Sequence, residues 1–183
     1  MMLPRDIKTP RLVLRDVCDA DLGHILPWLN DKALMRYSSQ RFKAHTLDTQ
    51  RRYLDGFIGA PDYYVAAMDG STLVGTATLY VDMNERLGHL GLLVGVAGQR
   101  YGEEIYRGLI GFAFDTLNLR KVTDGTLAIH RGQRRILESL GFSLEGILVD
   151  HYLVDGAPVD VMLYGLHGSR WTSWATMILE SVP

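Results

Sequence analysis

The sequence predicts an α+β domain: a central, mixed but mostly antiparallel twisted sheet flanked by helices. Three observations predict it. Apolar residues change between helical and strand spacing along the chain. The dipeptides Asp69-Gly70 and Asp155-Gly156 stand between alternating runs, as hairpin turns do. The run Gly98-Gln99-Arg100-Tyr101-Gly102 joins a strand-like segment to a helical stripe. With 183 residues and no repeat or low-complexity linker, residues 1–168 read as one domain and residues 169–183 as a tail. Trp171 and Trp174 in that tail either pack back on the domain or form a homodimer contact.

Leu12, Val13 and Leu14 between Arg11 and Arg15 read as the first strand. Asp19 is expected to cap a helix carrying Leu22, Ile25, Leu26 and Leu29 that ends near Asn30-Asp31. Thr46 caps a second helix, with Asp48 well placed for the dipole and an apolar stripe of Leu47, Tyr53, Leu54, Phe57 and Ile58. Strands follow over Tyr63–Met68, Leu73–Val81 and Leu87–Val96. The helix after Gly98 carries Ile105, Leu109, Ile110, Phe112, Ala113 and Leu117. A strand over Lys121–Ile129 leads to a helix over Gly132–Leu140, which Gly141 terminates. The last hairpin pairs Leu144–Val154 with Val159–Leu166.

Composition excludes several function classes. Nineteen basic residues against 21 acidic ones give a net charge of −2, which disfavours a broad phosphate-binding surface, so no nucleic-acid partner is expected. The single cysteine, Cys18, allows no intramolecular disulfide and no thiolate metal cluster, and no metal is expected. No apolar run approaches the ~18 residues of a membrane span. Met1–Lys8 lacks the apolar core of a signal peptide, so a cytoplasmic protein without a membrane partner is expected.

The turn from Val96 to Glu104 carries the chemistry. A strand entering a Gly-flanked loop and then a helix presents free amides at a positive dipole end, suited to a pyrophosphate. Gln99 and Arg100 add side-chain donors. Equally, Gly98 and Gly102 suit a tight connection that binds nothing. Glu103 and Glu104 are either ordinary dipole partners or a repulsion against an anion.

In their surroundings these residues resemble the GNAT superfamily of acyl-CoA-dependent N-acetyltransferases, in the branch of ribosomal-protein N-terminal and nucleotide-amino-sugar acetyltransferases. The resemblance starts at Thr9-Pro10-Arg11-Leu12-Val13-Leu14-Arg15, continues through Gly88-His89-Leu90-Gly91-Leu92-Leu93-Val94-Gly95, and includes the Gly98–Gly102 loop. It runs on through Ala113–Val122, Ile136-Leu137-Glu138-Ser139-Leu140-Gly141-Phe142 and the closing hairpin at Val159–Leu166. Trp28-Leu29-Asn30-Asp31, Arg41-Phe42 and His45-Thr46 are closer to the sugar-modifying members.

The resemblance implies acetyl-CoA as co-substrate, held by the strand at Leu92, Leu93 and Val94 and by Gly98, Gln99, Arg100, Tyr101, Gly102 and Glu103. His130 and Arg131 complete the cofactor set. It places Tyr37, Arg41 and His45 at the acceptor, where Arg41 and His45 read equally as a solvated loop and a capping contact. Tyr80, His151 and Tyr152 are further candidates for base, acid or substrate contact, or half-buried sheet residues. His89 stands where relatives carry a glutamate and is the candidate general base, or else it faces the other side of the sheet. Arg131, Arg134 and Arg135 either meet a 3′-phosphate or form a solvated helix face. Three departures are notable: Arg100 for glycine or alanine, His130 for asparagine, and Leu137 for a tyrosine acid. The implied reaction is acetyl transfer to the primary amine of a small molecule, such as a nucleotide-linked amino sugar, by direct attack in a ternary complex. Acetylation of a protein N-terminus and a catalytically silent CoA-binding or interaction domain are the alternatives.

Overall fold

The computed structural model describes residues 2–172. Strands β1 (Ile7–Lys8), β2 (Leu12–Asp16), β3 (Tyr63–Asp69), β4 (Thr72–Asp82), β5 (Leu87–Val94), β6 (Lys121–Leu127), β7 (Ser143–Val154) and β8 (Ala157–His167) form one sheet, ordered β1-β2-β3-β4-β5-β6-β8-β7. Neighbours are antiparallel except β5 and β6. Helices α1 (Leu22–Asn30) and α2 (Leu47–Asp55) precede β3, α3 (Tyr101–Gly111) crosses from β5 to β6, and α4 (Arg131–Ser139) links β6 to β7. The α+β class and the mixed sheet are as expected. Among the described residues no helix is long and apolar enough to cross a membrane.

Side-chain alternation gives the sheet two faces. Leu12, Leu14, Tyr63, Val65 and Leu90 point to one face, where Ile105, Leu109 and Ile110 of α3 and Leu137 of α4 cover them. Tyr64, Ala66 and Leu93 point to the other, against Leu22 and Ile25 of α1 and Phe57 just after α2. One pairing is short. β5 and β6 run together only where Leu87, Gly88 and His89 meet Lys121, Val122 and Thr123. Past His89, β5 stays on β4 through Val94 while β6 stays on β8. The two strands therefore part, and the fork between them is the cleft on which the site is built.

Several local expectations change. Asp19 does not cap the first helix but pairs with Arg51 at 3.1 Å. Instead the buried Asp21 carboxylate accepts from the Cys18 amide at 2.9 Å and from both terminal nitrogens of Arg15. In α2 the expected stripe is broken: Leu47 is 46% exposed, Ile58 beyond the helix is 78% exposed, and the polar Gln50 is 5% exposed. This helix lines the cleft rather than sealing a core, so its buried face is partly polar. β5 stops at Val94 because the amides of Gly95 and Val96 both donate to Val74. The Asp155-Gly156 turn does form, with φ of 53° and 82° at the two residues. Trp171 packs back on the core beside Phe114. Trp174 lies outside the described residues.

Candidate active site

A cavity of about 850 Å³ opens at the fork, bounded by α2, β4, β5, β6, the start of α4 and β7, and by the 34–45 loop. His89 lines it, and the hydrogen bonds around His89 define its tautomer. The Thr123 hydroxyl has one proton and donates it to the Gly88 carbonyl at 3.1 Å. Toward His89 Nδ1, 3.2 Å away, the same oxygen can therefore only accept. This arrangement assigns the hydrogen to Nδ1 and the lone pair to Nε2. Desolvation pushes the imidazole below its ordinary pKa of 6.5, so the ring is neutral at physiological pH. A neutral imidazole with a free Nε2 is equipped to take a proton from an amine.

The opposite face of the fork holds residues that sequence reasoning missed. Asp124 on β6 is buried and accepts from the Tyr106 hydroxyl of α3 at 2.8 Å and from the Gln133 amide of α4 at 2.7 Å. The available signal was a lone carboxylate on the buried alternation Val122, Asp124, Thr126. Leu137, which stands where the resemblance places a tyrosine acid, is fully buried in the core.

At the cleft's end, the loop before α3 has the left-handed backbone that such a turn needs, with φ of 87° at Gly98 and 57° at Arg100. A Cβ at Gly98 would meet nothing within 4 Å, so the space over the loop is open. Among the described residues, no side chain or backbone carbonyl outside the helix accepts from the amides of residues 98–103. These amides fit a pyrophosphate at the helix N-terminus. Gly102 is needed for closeness, since a Cβ there would lie 2.9 Å from Ile136 and 3.1 Å from Leu92. Leu92 and Leu93 line the cavity, while Val94 packs on the α3 core. Arg100 leans on Glu103 at 3.3 Å, and its side chain is otherwise in solvent.

The two glutamates do not face the loop as free charges. Glu103 is shared between Arg100 and Arg107. Burial alone would raise the pKa of Glu104, but the Thr9 hydroxyl and the Arg11 amide and guanidinium outweigh it and hold the carboxyl below its ordinary value. Arg11 also reaches the Gln99 carbonyl at 3.0 Å, which ties the anion loop to the first hairpin. A lowered folded pKa means that Glu104 contributes stability above its unfolded value of 4.5 and loses it as pH falls through the lower folded value. Glu104→Ala is expected to cost about 2 kcal/mol at neutral pH, discounted for the exposure of Arg11, and to lower Tm by about 4–8 °C. Thermal melts at pH 7 and at about pH 3 check it, because the wild-type advantage narrows in acid.

The remaining candidates divide. Tyr37 and His130 stack with ring centroids 4.6 Å apart at the cavity wall, His130 being the residue before α4. Tyr80 lines the cavity and shares a 2.6 Å hydrogen bond with Tyr53. His151 and Tyr152 line it from β7. His45 lines it too, with Nδ1 3.1 Å from the Gln50 amide and its backbone bracketed by the Asn30 side chain. Arg41 does not line it. Its guanidinium bonds the carbonyls of Ser38 and Leu153 and lies over Phe42 and Tyr152, fastening the loop to β7. Arg36 makes a second tie, to Asp155 at 2.6 Å. Arg131 and Arg135 are exposed at α4, whereas Arg134 is engaged by Ala128 and Glu138.

Two parallel strands that part beside an amide-rich helix N-terminus form a cleft suited to an elongated ligand that carries a pyrophosphate. Residues 11–143 match the acetyltransferase (GNAT) domain family, and the chain belongs to that family. It is an acyl-CoA-dependent N-acetyltransferase with acetyl-CoA as co-substrate. The structure of spermidine N-acetyltransferase from Vibrio cholerae, in complex with CoA and spermine, is similar with a TM-score of 0.81. The identity is 20%, over 88% of this chain and 98% of that one. Ribosomal-protein-S5-alanine acetyltransferase from Vibrio fischeri is similar with a TM-score of 0.79 and 17% identity, over 92% and 99% of the two chains. A GNAT-family acetyltransferase from Bacillus anthracis gives a TM-score of 0.78 and 18% identity, over 91% and 100%. No curated protein sequence matches the chain.

Proposed function

We propose that this acetyltransferase acts on the primary amine of a small, ring-bearing molecule, with an amino sugar, free or nucleotide-linked, as the leading acceptor. The lining of the cavity carries this reading. Its described residues include Tyr37, Tyr53, Tyr80, Tyr152, His45 and His151, and Asp124 is the only acidic side chain among them. Aromatic rings and neutral donors suit a sugar or other ring. A polyamine would bring several positive charges to one carboxylate that Tyr106 and Gln133 already engage. The ties from Arg36 and Arg41 to the last hairpin roof one end of the cleft, which favours a small acceptor over a protein N-terminus.

The amine reaches the acetyl group directly in the proposed reaction. His89 Nε2 accepts the proton that the amine sheds as its nitrogen bonds to the carbonyl carbon. Residues 90–94 pair with β4 on one side only, and in an antiparallel ladder alternate residues turn their amides to the other side. Those amides point into the fork and polarise the thioester carbonyl. Holding the two reactants in line supplies most of the rate, worth up to ~7–11 kcal/mol in favourable systems.

The test is thiol release from acetyl-CoA with a panel of amines: glucosamine, a uridine-diphosphate-linked amino sugar, spermidine and an alanine-started peptide. A ring amine is expected to exceed spermidine and the peptide in kcat/KM by at least about tenfold, the discrimination of one lost favourable contact. A peptide or spermidine turned over fastest overturns the acceptor class.

A further inference from the structure

Asp124 stands one residue beyond the last β5–β6 pair, His89 with Thr123. Alternation along β6 puts Thr123 on the face of His89 and Asp124 on the opposite face, toward α3 and α4. Tyr106 and Gln133 on those helices hold its carboxylate, which is 6% exposed and lines the cavity. A carboxylate buried without a cationic partner is costly, and here it neither caps a helix nor closes an ion pair. The anion loop lies on the same side as α3, so a cofactor held there enters the fork from the Asp124 face. The acceptor enters from the α2 side, where His89 points.

We propose that Asp124 donates the proton to the sulfur of the departing CoA, with Tyr106 and Gln133 as positioning residues; this role rests on the acetyl-transfer reading above. The amine lone pair forms the N–C bond, and the C–S bond breaks with its electron pair passing to sulfur. Asp124 gives sulfur its carboxyl proton, yielding the free thiol, while His89 Nε2 takes the proton from nitrogen. Water then returns a proton to Asp124 and removes one from His89. Base and acid sit on opposite faces of the fork, each beside the atom it serves. The groups facing Asp124 are Tyr106 from α3, Gln133 from α4 and its register partner Tyr164 from β8, while His130, just before α4, and His89 on β5 line the same cavity. Burial raises the Asp124 carboxyl to about 6 against the donors from Tyr106 and Gln133, so a protonated fraction persists at neutral pH.

Asp124→Asn is expected to lower kcat about 10²-fold with little change in the KM for acetyl-CoA, and to remove the alkaline limb of the kcat profile. Tyr106→Phe deletes a donor that favours the charged carboxylate, so the alkaline limb moves to higher pH. An Asp124→Asn enzyme with kcat within a factor of ~3 of wild type and an unchanged limb overturns the proposal. If Asp124→Asn fails to fold, Tyr106→Phe decides it, and an unmoved limb is the contrary result. If the wild type turns over no amine, the acceptor reading fails separately. Calorimetry then tests Asp124 with CoA and desulfo-CoA. The wild type is expected to bind CoA severalfold tighter and Asp124→Asn to bind both alike, whereas equal affinities in the wild type overturn the role.

Discussion

Replacing His89 with alanine or glutamine is expected to lower kcat/KM for the acceptor amine by about 10²–10⁴-fold while leaving acetyl-CoA affinity unchanged. The size follows from the role. The His89 tautomer leaves Nε2 free, because Thr123 donates its proton to Gly88. Since desolvation holds the imidazole below 6.5, the neutral form prevails above that value and is lost as pH falls. The acid limb of kcat/KM should therefore lie below 6.5 in the wild type and vanish in His89→Gln. Thr123→Val removes the acceptor of the Nδ1 hydrogen and should lower kcat less than His89→Gln does, with the limb displaced. Turnover by His89→Ala equal to wild type between about pH 6 and 9 would remove His89 from the mechanism.

The largest expected loss of stability comes from adding one methyl group at Gly95. A Cβ there would lie 1.9 Å from Trp28 Cε2 and 2.2 Å from two further ring atoms. The indole lies flat on the backbone just after β5, and it packs against the core beneath α1. The ring cannot shift by a few tenths of an ångström to accommodate the methyl; it must leave. Gly95→Ala is therefore expected to cost about 3 kcal/mol, on the scale of a displaced large aromatic, and to lower Tm by about 6–12 °C. The control is the pair. In a Trp28→Ala background the same Gly95→Ala change should cost almost nothing, so the double-mutant cycle gives a coupling of most of the ~3 kcal/mol. Additive losses would show that the strain lies in the backbone at Gly95 and not in the indole contact.

The fold was legible because its punctuation is local. Asp155-Gly156 needs positive φ at both residues, which few other pairs adopt, and the hairpin forms there. The Gly98–Gly102 run similarly announces a tight strand-to-helix turn before an apolar stripe. Elements whose faces depend on distant partners were not legible. The spacing of Leu47, Tyr53 and Ile58 predicts a core-facing α2, but the fork turns that helix toward a cavity and buries Gln50 instead. Asp21 rather than Asp19 organises the first helix because Arg15 on β2 reaches it.

The candidate site shows the same division. His89 could be nominated from its strand, yet its face follows from the β4–β5 register and its tautomer from Thr123, 34 residues away. Arg41 is drawn from the acceptor to Leu153, 112 residues away. Asp124 escaped notice because Tyr106 and Gln133 come from two different helices. Glu103 and Glu104 seemed opposed to an anion loop, but Arg11, Arg100 and Arg107 engage their charges.

Direct transfer across the fork is the central claim, and initial velocities with acetyl-CoA and the acceptor varied together test it most directly. His89 and the amide-lined strand act on both reactants at once, so the double-reciprocal lines should intersect, with CoA released only when amine is present. Parallel lines, a burst of CoA release without amine, and an acetyl group recovered on the protein would contradict it.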